Sequence, residues 1–477
     1  MTIDKIAFEK ILKKNFPHEL TLGQEELMGK LSSFIFSTDQ QIFVLNGYAG
    51  TGKTSVVISL TKTLPTIKAH CILLAPTGRA AKVLSNYSRA KAHTVHRYIY
   101  LYLTSSDGIT KIIMQKNKLK DTLFVVDEAS MIQANPSSDE ASVFSSRNIL
   151  QDLMDFVFEG ENCKLLLIGD KAQLPPVGTD ISLALDEKYL NTSFNQDVKH
   201  FELTDVVRQQ ELSGVLMNAT WLRQQIKTKK IRFPFFNIAP FKDIVRISGM
   251  ELEEELNNNI SYHGLGNVCI ICRSNKRANL FNQEVRKRIL GKENEISAGD
   301  FLMVVKNNYF WLKPESSAGF IANGDIAEIL RIGKYYNIYG YRFADVTIRL
   351  VDYPDENPID VKIMLDTIML ESSCLPYDQN KLFFEEIMKD YDDIASRRKK
   401  IDNVKVSPFF NALQVKFAYS FTCHKTQGGQ WDTIFIDQGY LTKEMVNIEY
   451  LRWLYTALTR AISKVYFVNF NDYFFKN

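Results

Sequence analysis

The chain contains 477 residues and carries 58 Lys and Arg against 55 Asp and Glu, which gives a net charge of +3. This length exceeds what one hydrophobic core organises and predicts about two to four domains, whereas the near-neutral charge leaves any polyanion to be bound by a local groove. The N-terminus has no apolar signal core and no apolar run reaches membrane-spanning length, so the sequence excludes a membrane protein and predicts a soluble, cytoplasmic one.

The first chemically informative element is the segment from Gly47 to Thr54, which follows the apolar residues 41–45. The apolar run predicts a buried strand, and a loop of this spacing lets backbone N–H groups surround phosphates at the start of a helix. Lys53 is expected to reach the β- and γ-phosphate oxygens, and the Thr54 hydroxyl to ligate Mg²⁺. We therefore predict ATP and Mg²⁺ as cofactors. The expected nucleotide-binding residues of this loop are Gly47, Gly50, Thr51, Gly52, Lys53 and Thr54.

An acidic pair follows the apolar residues 122–126, at the carboxyl end of a predicted strand. Asp127 is expected to bind Mg²⁺ as a metal ligand, and Glu128 to orient or deprotonate the attacking water. Alone, such a pair is more often the N-terminal cap of a helix. The upstream phosphate loop favours the catalytic interpretation.

Two more apolar strands of the N-terminal part end in polar residues. Residues 71–75 lead to Pro76 and Thr77, where donors could meet a phosphate backbone, and residues 164–168 lead towards Gln173. Gln173 either senses the γ-phosphate or belongs to a polar turn that prolines interrupt. Four such strands with intervening helices predict a parallel sheet whose polar loops share one edge.

The C-terminal part predicts a second α/β sheet without a phosphate loop. The six cysteines are interpreted as reduced thiols of a protein core, and the pair Cys269 and Cys272 as part of a buried strand rather than a metal site. Residues 335–410 have a different residue pattern from the segments on either side and predict a small β-rich insert. Within it, a helical segment is expected at 378–400 that ends in a basic run. The strands expected in the second sheet are 268–272, 301–305, 325–330, 415–420, 433–436 and 464–468, with helices at 274–290 and 450–461.

Two arginines are candidates for coupling domain closure to hydrolysis. Arg460 lies in the segment Tyr455 to Ala461, and Arg208 follows the apolar residues near 203. An arginine that a second domain brings to the γ-phosphate contributes about 10³ to 10⁵ in rate. Without the surrounding motifs, either arginine would be an ordinary surface residue.

The ordered series of motifs resembles the superfamily-one helicases, and within them the RecD and Dda branch, which the segments 92–96 and 424–428 mark. The resemblance implies an α/β fold of two RecA-like parallel-sheet P-loop NTPase domains in tandem, with a small β-hairpin insert in the first and a β-barrel-like insert in the second. It also implies ATP in the cleft and 5′→3′ movement on single-stranded DNA, in repair, recombination or replication. The implied domains are 1–210, with a strand-splitting pin at 97–121, then 211–334 with 411–477, and the insert 335–410.

The resemblance also assigns roles to residues. Gln24 matches the adenine-reading glutamine, and the catalytic set is Lys53, Glu128, Gln173, Arg208 and Arg460. Tyr98, with Tyr100 and Tyr102, could stack on bases near the pin or could be packed in a half-buried hairpin. The DNA-binding candidates are Pro76, Thr77, Thr94, His96, Tyr98, His424 and Lys425.

Single-stranded and forked DNA are the expected partners of a monomeric motor, and the sequence identifies no protein partner. The sequence departs from the helicase pattern at two places. The loop at 134–146 is longer, and the insert has no recognisable DNA-binding pattern. Two alternatives stay open, namely a translocase that remodels DNA without strong unwinding and a nucleotide-switched DNA-binding module. The set of Glu128, Arg208 and Arg460 argues against the switch, whereas backbone contacts alone do not separate DNA from RNA.

Overall fold

The computed structural model describes residues 3–104, 110–135, 147–205, 213–229, 231–313, 316, 318, 320–353 and 356–475, and side chains within these ranges except at 102–104 and 110–112. It contains two parallel α/β sheets, a two-stranded hairpin and a closed five-stranded barrel. The predicted fold class is therefore confirmed. Arg208 and most of the loop at 134–146 lie outside the described residues.

The first domain is built around a six-stranded parallel sheet with the order β3-β2-β6-β7-β1-β8. Its central strands are continuous apolar runs because helices cover both faces, and every residue of β1 and β7 is buried. The strands are β1 Ile42–Gly47, β2 His70–Ala75, β3 Ala92–Thr94, β6 Thr122–Val126, β7 Lys164–Gly169 and β8 Val198–Leu203. The helices are α1 Lys5–Lys14, α2 Leu22–Phe36, α3 Lys53–Thr63, α4 Gly78–Ser88, α5 Val95–Ile99, α6 Ile149–Glu159 and α7 Glu187–Phe194.

An antiparallel hairpin interrupts the first domain between α5 and β6. Its strands are β4 Tyr100–Thr104 and β5 Thr110–Met114. The predicted β-hairpin insert is thus confirmed, while its strand-splitting role stays a prediction. The expectation that Tyr98 belongs to a strand is wrong, because Thr94 caps a short helix that carries it.

The second domain has a five-stranded parallel sheet with the order β16-β10-β17-β18-β9. Cys269 and Cys272 lie in β10 as buried free thiols, as the sequence predicted. The strands are β9 Ile244–Ile247, β10 Val268–Cys272, β16 Ser420–Thr422, β17 Trp431–Asp437 and β18 Ala461–Val468. The helices are α8 Gly214–Thr228, α9 Leu252–His263, α10 Asn275–Glu284, which continues as a π-helix at Val285–Ile289, α13 Cys423–Thr426 and α14 Ile448–Leu458.

The barrel uses more of the chain than the insert expected at 335–410. Its strands are β11 Phe301–Val304, β12 Ile326–Ile338, β13 Tyr341–Leu350, β14 Ile359–Met364 and β15 Leu413–Phe417, with helices α11 Tyr377–Met388 and α12 Arg397–Lys405 beside it. The assignment of 301–305, 325–330 and the start of 415–420 to the second sheet is therefore wrong. A short apolar run has the same periodicity in a barrel and in a parallel sheet, and the barrel interior shares one buried cluster with β10. The basic run also begins α12 instead of ending a helix.

One buried cluster crosses from the first domain to the second. It joins Tyr48, Ala172 and Leu174 to Leu454 and Tyr455 of α14. The loops that follow β1 and β7 are therefore covered by the second domain. Within the described residues, no helix has both the length and the apolar character that crossing a membrane requires.

Candidate active site

The loop between β1 and α3 has the backbone that phosphate binding requires. Gly50 and Gly52 have φ of +77° and +87°, a region that side chains with a Cβ rarely adopt. A Cβ on Gly52 would also lie 2.6 Å from the Gln24 amide nitrogen. The Lys53 ammonium donates to the carbonyl oxygens of Gly47 at 2.6 Å and Tyr48 at 3.0 Å, so it is folded over the loop. Thr54 follows in the first turn of α3.

Gln24 is part of this loop's support. Its side-chain nitrogen donates to the Thr51 carbonyl at 3.0 Å, and its side-chain oxygen accepts from the Thr21 N–H at 3.0 Å. Thr21 and Gln24 form a capping box, so the start of α2 and the phosphate loop are held together. This contact places Gln24 beside the loop, and its adenine-reading role stays a prediction.

The two acids that follow β6 are held in an unusual local conformation. Glu128 has φ +52°, which costs a non-glycine residue about 1 to 3 kcal/mol and is concentrated at functional sites. Loss of hydration and the charge of Glu128 together raise the pKa of Asp127 to about 6, although Lys53 opposes both effects. Glu128 Oε2 is buried and has no hydrogen-bond partner among the described residues. Two adjacent acidic side chains, one of them with an oxygen that lacks a hydrogen-bond partner among the described residues, fit a divalent cation held by Asp127 and Thr54.

Arg460 reaches these acids from the second domain. Its guanidinium is buried and donates to the carbonyl oxygens of Thr456 at 3.2 Å and Gly429 at 3.3 Å and to the Thr459 hydroxyl. One guanidinium nitrogen lies 3.9 Å from Glu128 Oε1. The structure therefore brings together Lys53, Glu128 and Arg460, which are far apart in sequence.

Gln173 lies in the loop that follows β7, in the same interface. Its side chain is 3% exposed, and its Oε1 has no hydrogen-bond partner within the described part of the chain. Burial raises the pKa of Asp170, three residues earlier, and Lys53 opposes the rise. Gln173 is thus a buried amide in the turn that follows β7, and its role as a sensor of the γ-phosphate stays a prediction.

The DNA-binding candidates of the first domain lie at helix starts. Thr77 accepts from the Ala80 N–H at 3.2 Å and caps α4, and Thr94 accepts from the Arg97 N–H at 3.2 Å and caps α5. Pro76 is half-buried directly before Thr77. Thr94 lines a cleft of about 700 Å³ between α4, α5 and the barrel, which we call the barrel cleft.

The aromatic candidates near the hairpin are turned towards the protein core. The Tyr98 ring packs edge-on against Phe124 at 6.1 Å and Phe156 at 5.9 Å, and the buried Tyr100 donates to Asp152 at 2.5 Å. Base stacking by Tyr98 and Tyr100 is therefore not supported by their positions, and the side chain of Tyr102 lies outside those described. Burial lowers the pKa of His96 to about 4, so this side chain is neutral at pH 7.

His424 and Lys425 lie on α13 in the second domain. Burial lowers the pKa of His424, whereas Glu449 opposes the shift. The Lys425 ammonium donates to the Asn323 side chain at 3.1 Å, at the base of the barrel. Lys425 therefore faces the junction of the second domain with the barrel, whereas the charge that acts on His424 comes from Glu449 on α14.

Comparison with known proteins finds two family matches. Residues 33–179 match an AAA domain, and residues 417–468 match a UvrD-like helicase C-terminal domain. The ATP-dependent DNA helicase dda of Enterobacteria phage T4 is 23% identical over 94% of this chain and 99% of its own. The ATP-dependent DNA helicase Pif1 of Campylobacter jejuni is 25% identical over 90% of each chain. The chain is thus similar to superfamily-one helicases of the Pif1/Dda-like type.

Among solved structures, a Pif1 helicase from Bacteroides in complex with ADP-AlF3 and ssDNA aligns with 94% of this chain and 93% of its own, at 16% identity and a TM-score of 0.47.

The barrel cleft contains residues that the sequence did not single out. Lys82, Arg89, Lys91 and Arg97 line it with Phe320 and Tyr353. Arg97 donates to the Ala318 carbonyl at 2.7 Å, and the Lys82 ammonium lies 4.4 Å from the Tyr353 ring centre. Lys82 lies on α4 and Arg89 directly follows that helix, so the spacing of these two cations after Pro76 was the available signal. The partners of Arg97 and Lys82 across the cleft, Ala318 and Tyr353, are distant in the sequence, so no local pattern indicated these contacts.

Proposed function

We propose that this chain is an ATP-dependent DNA helicase that moves 5′→3′ on single-stranded DNA and unwinds duplex. The observation that carries the proposal is the position of Arg460, which the second domain supplies 3.9 Å from Glu128 of the first. Hydrolysis then depends on how the two domains sit against each other, and this dependence is what a motor requires. The similar dda and Pif1 proteins are both ATP-dependent DNA helicases, which supports the proposal.

In the proposed mechanism, Lys53, Thr54 and Asp127 bind Mg·ATP through the phosphate loop and the end of β6. Mg²⁺ would neutralise the β- and γ-phosphate oxygens. Glu128 orients the attacking water and accepts its proton. Gln173, Arg208 and Arg460 sense the γ-phosphate, so that turnover changes the closure of the domains.

The track in this proposal is a single DNA strand in the barrel cleft. The cations of α4 and of the segment 89–97 bind phosphates, and Thr77, Thr94, His424 and Lys425 add hydrogen bonds. His96 contributes as a neutral donor or acceptor because its pKa is low. Opening and closing of the domains would shift the strand, and the β4–β5 hairpin would separate a forked duplex. Repair, recombination or replication is the proposed setting.

Strand separation on two matched duplexes, one with a 5′ tail and one with a 3′ tail, tests the proposal. The assay contains ATP and Mg²⁺, with Glu128→Gln as the inactive control. The expected result is unwinding of the 5′-tailed duplex alone, and none with the variant. Unwinding of the 3′-tailed duplex alone would contradict the polarity.

One observation favours a second function, a translocase without strong unwinding. The Tyr98 ring packs against core phenylalanines and Tyr100 is hydrogen-bonded to Asp152. Neither ring at the base of the hairpin is therefore available to stack on an open base pair. In that case single strands would stimulate ATP hydrolysis while neither duplex opened. A nucleotide-switched binding module is disfavoured because it needs neither the strained Glu128 nor Arg460.

A further inference from the structure

A tyrosine of the second domain is hydrogen-bonded inside the nucleotide site of the first. The Tyr455 hydroxyl, on α14, accepts from the Ala49 N–H of the phosphate loop at 3.2 Å and donates to Asp170 Oδ2 at 2.5 Å. Tyr455 and Asp170 are 1% and 0% exposed. A phenol has one proton, and Asp170 accepts it, so the hydroxyl oxygen is left to accept from Ala49. One hydroxyl therefore joins the phosphate loop, the loop after β7 and the second domain.

Two neighbouring side chains of the second domain hold the other end of the loop after β7. The Thr456 hydroxyl oxygen accepts from the Leu174 N–H at 2.9 Å. The Gln427 side-chain nitrogen donates to the Leu174 carbonyl at 2.7 Å. Both backbone groups of Leu174 are thus bonded to the second domain, and Thr456, Gln427 and Leu174 are all buried. We call Tyr455, Thr456 and Gln427 the interdomain clamp.

Gln173 lies between the two points that the clamp holds. Asp170 is fixed on one side by Tyr455 and by the Ala172 N–H at 2.9 Å, and Leu174 is fixed on the other. The Gln173 N–H also donates to the Asp170 carbonyl at 3.2 Å. A movement of α14 relative to the first domain must therefore displace Gln173 or break these buried hydrogen bonds, which is costly in a low-dielectric interface.

We infer that Tyr455 is a positioning residue that acts together with Thr456 and Gln427. It determines where Gln173 and the phosphate loop lie, according to the position of the second domain. The inference rests on the proposed ATP-driven function and adds a second route, besides Arg460, by which domain closure reaches hydrolysis. Tyr455 acts through Asp170 and Ala49. Its contribution is to turnover in the closed state.

The test compares two Tyr→Phe changes on the same helix. Tyr455→Phe removes the bridging hydroxyl and keeps the ring. Tyr450→Phe is the matched control, because Tyr450 is equally buried and stacks on Trp453, but its hydroxyl has no hydrogen-bond partner among the described residues. The measurements are steady-state ATP hydrolysis with and without saturating single-stranded DNA, the KM for ATP, the Kd for DNA and the Tm.

We expect Tyr455→Phe to lower the DNA-stimulated kcat roughly tenfold and to reduce the ratio of stimulated to basal turnover, with the KM for ATP and the Kd for DNA within about twofold. Tyr450→Phe should behave as wild type, and the Tm of both variants should stay within ~3 °C of it. The inference is overturned if Tyr455→Phe keeps wild-type stimulation, or if both variants lose turnover equally. Failure of the DNA-driven ATP hydrolysis that the proposed function requires is distinguishable, because the wild type would then show no stimulation by DNA, and the inference would fall with it.

Discussion

The first domain meets the rest of the chain at two clefts that are built differently. At the nucleotide site, Tyr455, Thr456 and Arg460 of the second domain are all buried and hydrogen-bonded to the first domain or to each other. At the barrel cleft, about 700 Å³ stays open and the exposed cations Arg89 and Lys91 line it.

The difference follows from what each cleft has to bind. Charge that develops during phosphoryl transfer is stabilised by groups that are already oriented and desolvated, so a buried, hydrogen-bonded interface suits the nucleotide site. A polymer of variable sequence is bound through its phosphates, and an open basic cleft gives affinity without fixed geometry. Changes at the first cleft should therefore affect kcat, and changes at the second should affect DNA affinity.

The largest expected effect is at the nucleotide site. Glu128→Gln keeps the size of the side chain and removes its basicity, so ATP hydrolysis should fall about 10²- to 10⁴-fold while ATP still binds. Single-turnover hydrolysis and equilibrium binding of a fluorescent ATP analogue measure the two quantities. A variant that hydrolyses ATP within threefold of wild type would remove Glu128 from the mechanism.

A smaller effect is expected at the barrel cleft. The double variant Arg89→Ala/Lys91→Ala should weaken single-stranded DNA binding roughly tenfold and make the affinity less sensitive to salt, because two phosphate contacts are lost. Fluorescence anisotropy at several salt concentrations measures both. The matched control is Lys5→Ala/Lys10→Ala, which removes two exposed lysines of α1. Equal weakening in both double variants would show that only net charge matters and would contradict a local groove.

The smallest expected effect is a pH dependence of the thermal stability, which arises from Asp127. The pKa of Asp127 is raised from 3.8 to about 6, so the folded state holds the proton more tightly than the unfolded state. The corresponding stabilisation is complete below about pH 4 and is lost as the pH rises through 6. In nucleotide-free protein, Asp127→Asn should therefore raise the Tm by about 2–4 °C at pH 8 and by less at pH 5.

Thermal melting from pH 5 to 8 measures this difference, with the exposed Asp39→Asn as control. A gain for Asp127→Asn that did not depend on pH would mean that the carboxylate is not destabilised in the folded state.

Local sequence predicted much of the fold. The strands 122–126 and 268–272 have the predicted bounds, because strands buried on both faces leave uninterrupted apolar runs. The barrel was partly misassigned for the same reason, since Leu413–Phe417 is a continuous buried run in either setting. Tyr98 was misplaced because alternating tyrosines imitate a strand, although Thr94 supplied a helix-capping signal.

The candidate site was predictable as far as motifs carry chemistry. Lys53, Glu128 and Arg460 were identified from their types and order, and the structure places them together. Tyr455 is hydrogen-bonded to Ala49, which lies 406 positions away in the sequence, and to Asp170, which lies 285 positions away. No local pattern encodes contacts of such long range. The basic lining of the barrel cleft was missed similarly, because it depends on how the barrel meets α4.

The central claim is that the second domain completes the nucleotide site of the first. The most direct test is ATP hydrolysis by Arg460→Ala at saturating single-stranded DNA, together with nucleotide binding by the same protein. We expect kcat to fall about 10³-fold while nucleotide affinity changes by no more than a few-fold. Hydrolysis at the wild-type rate, still stimulated by DNA, would contradict the central claim.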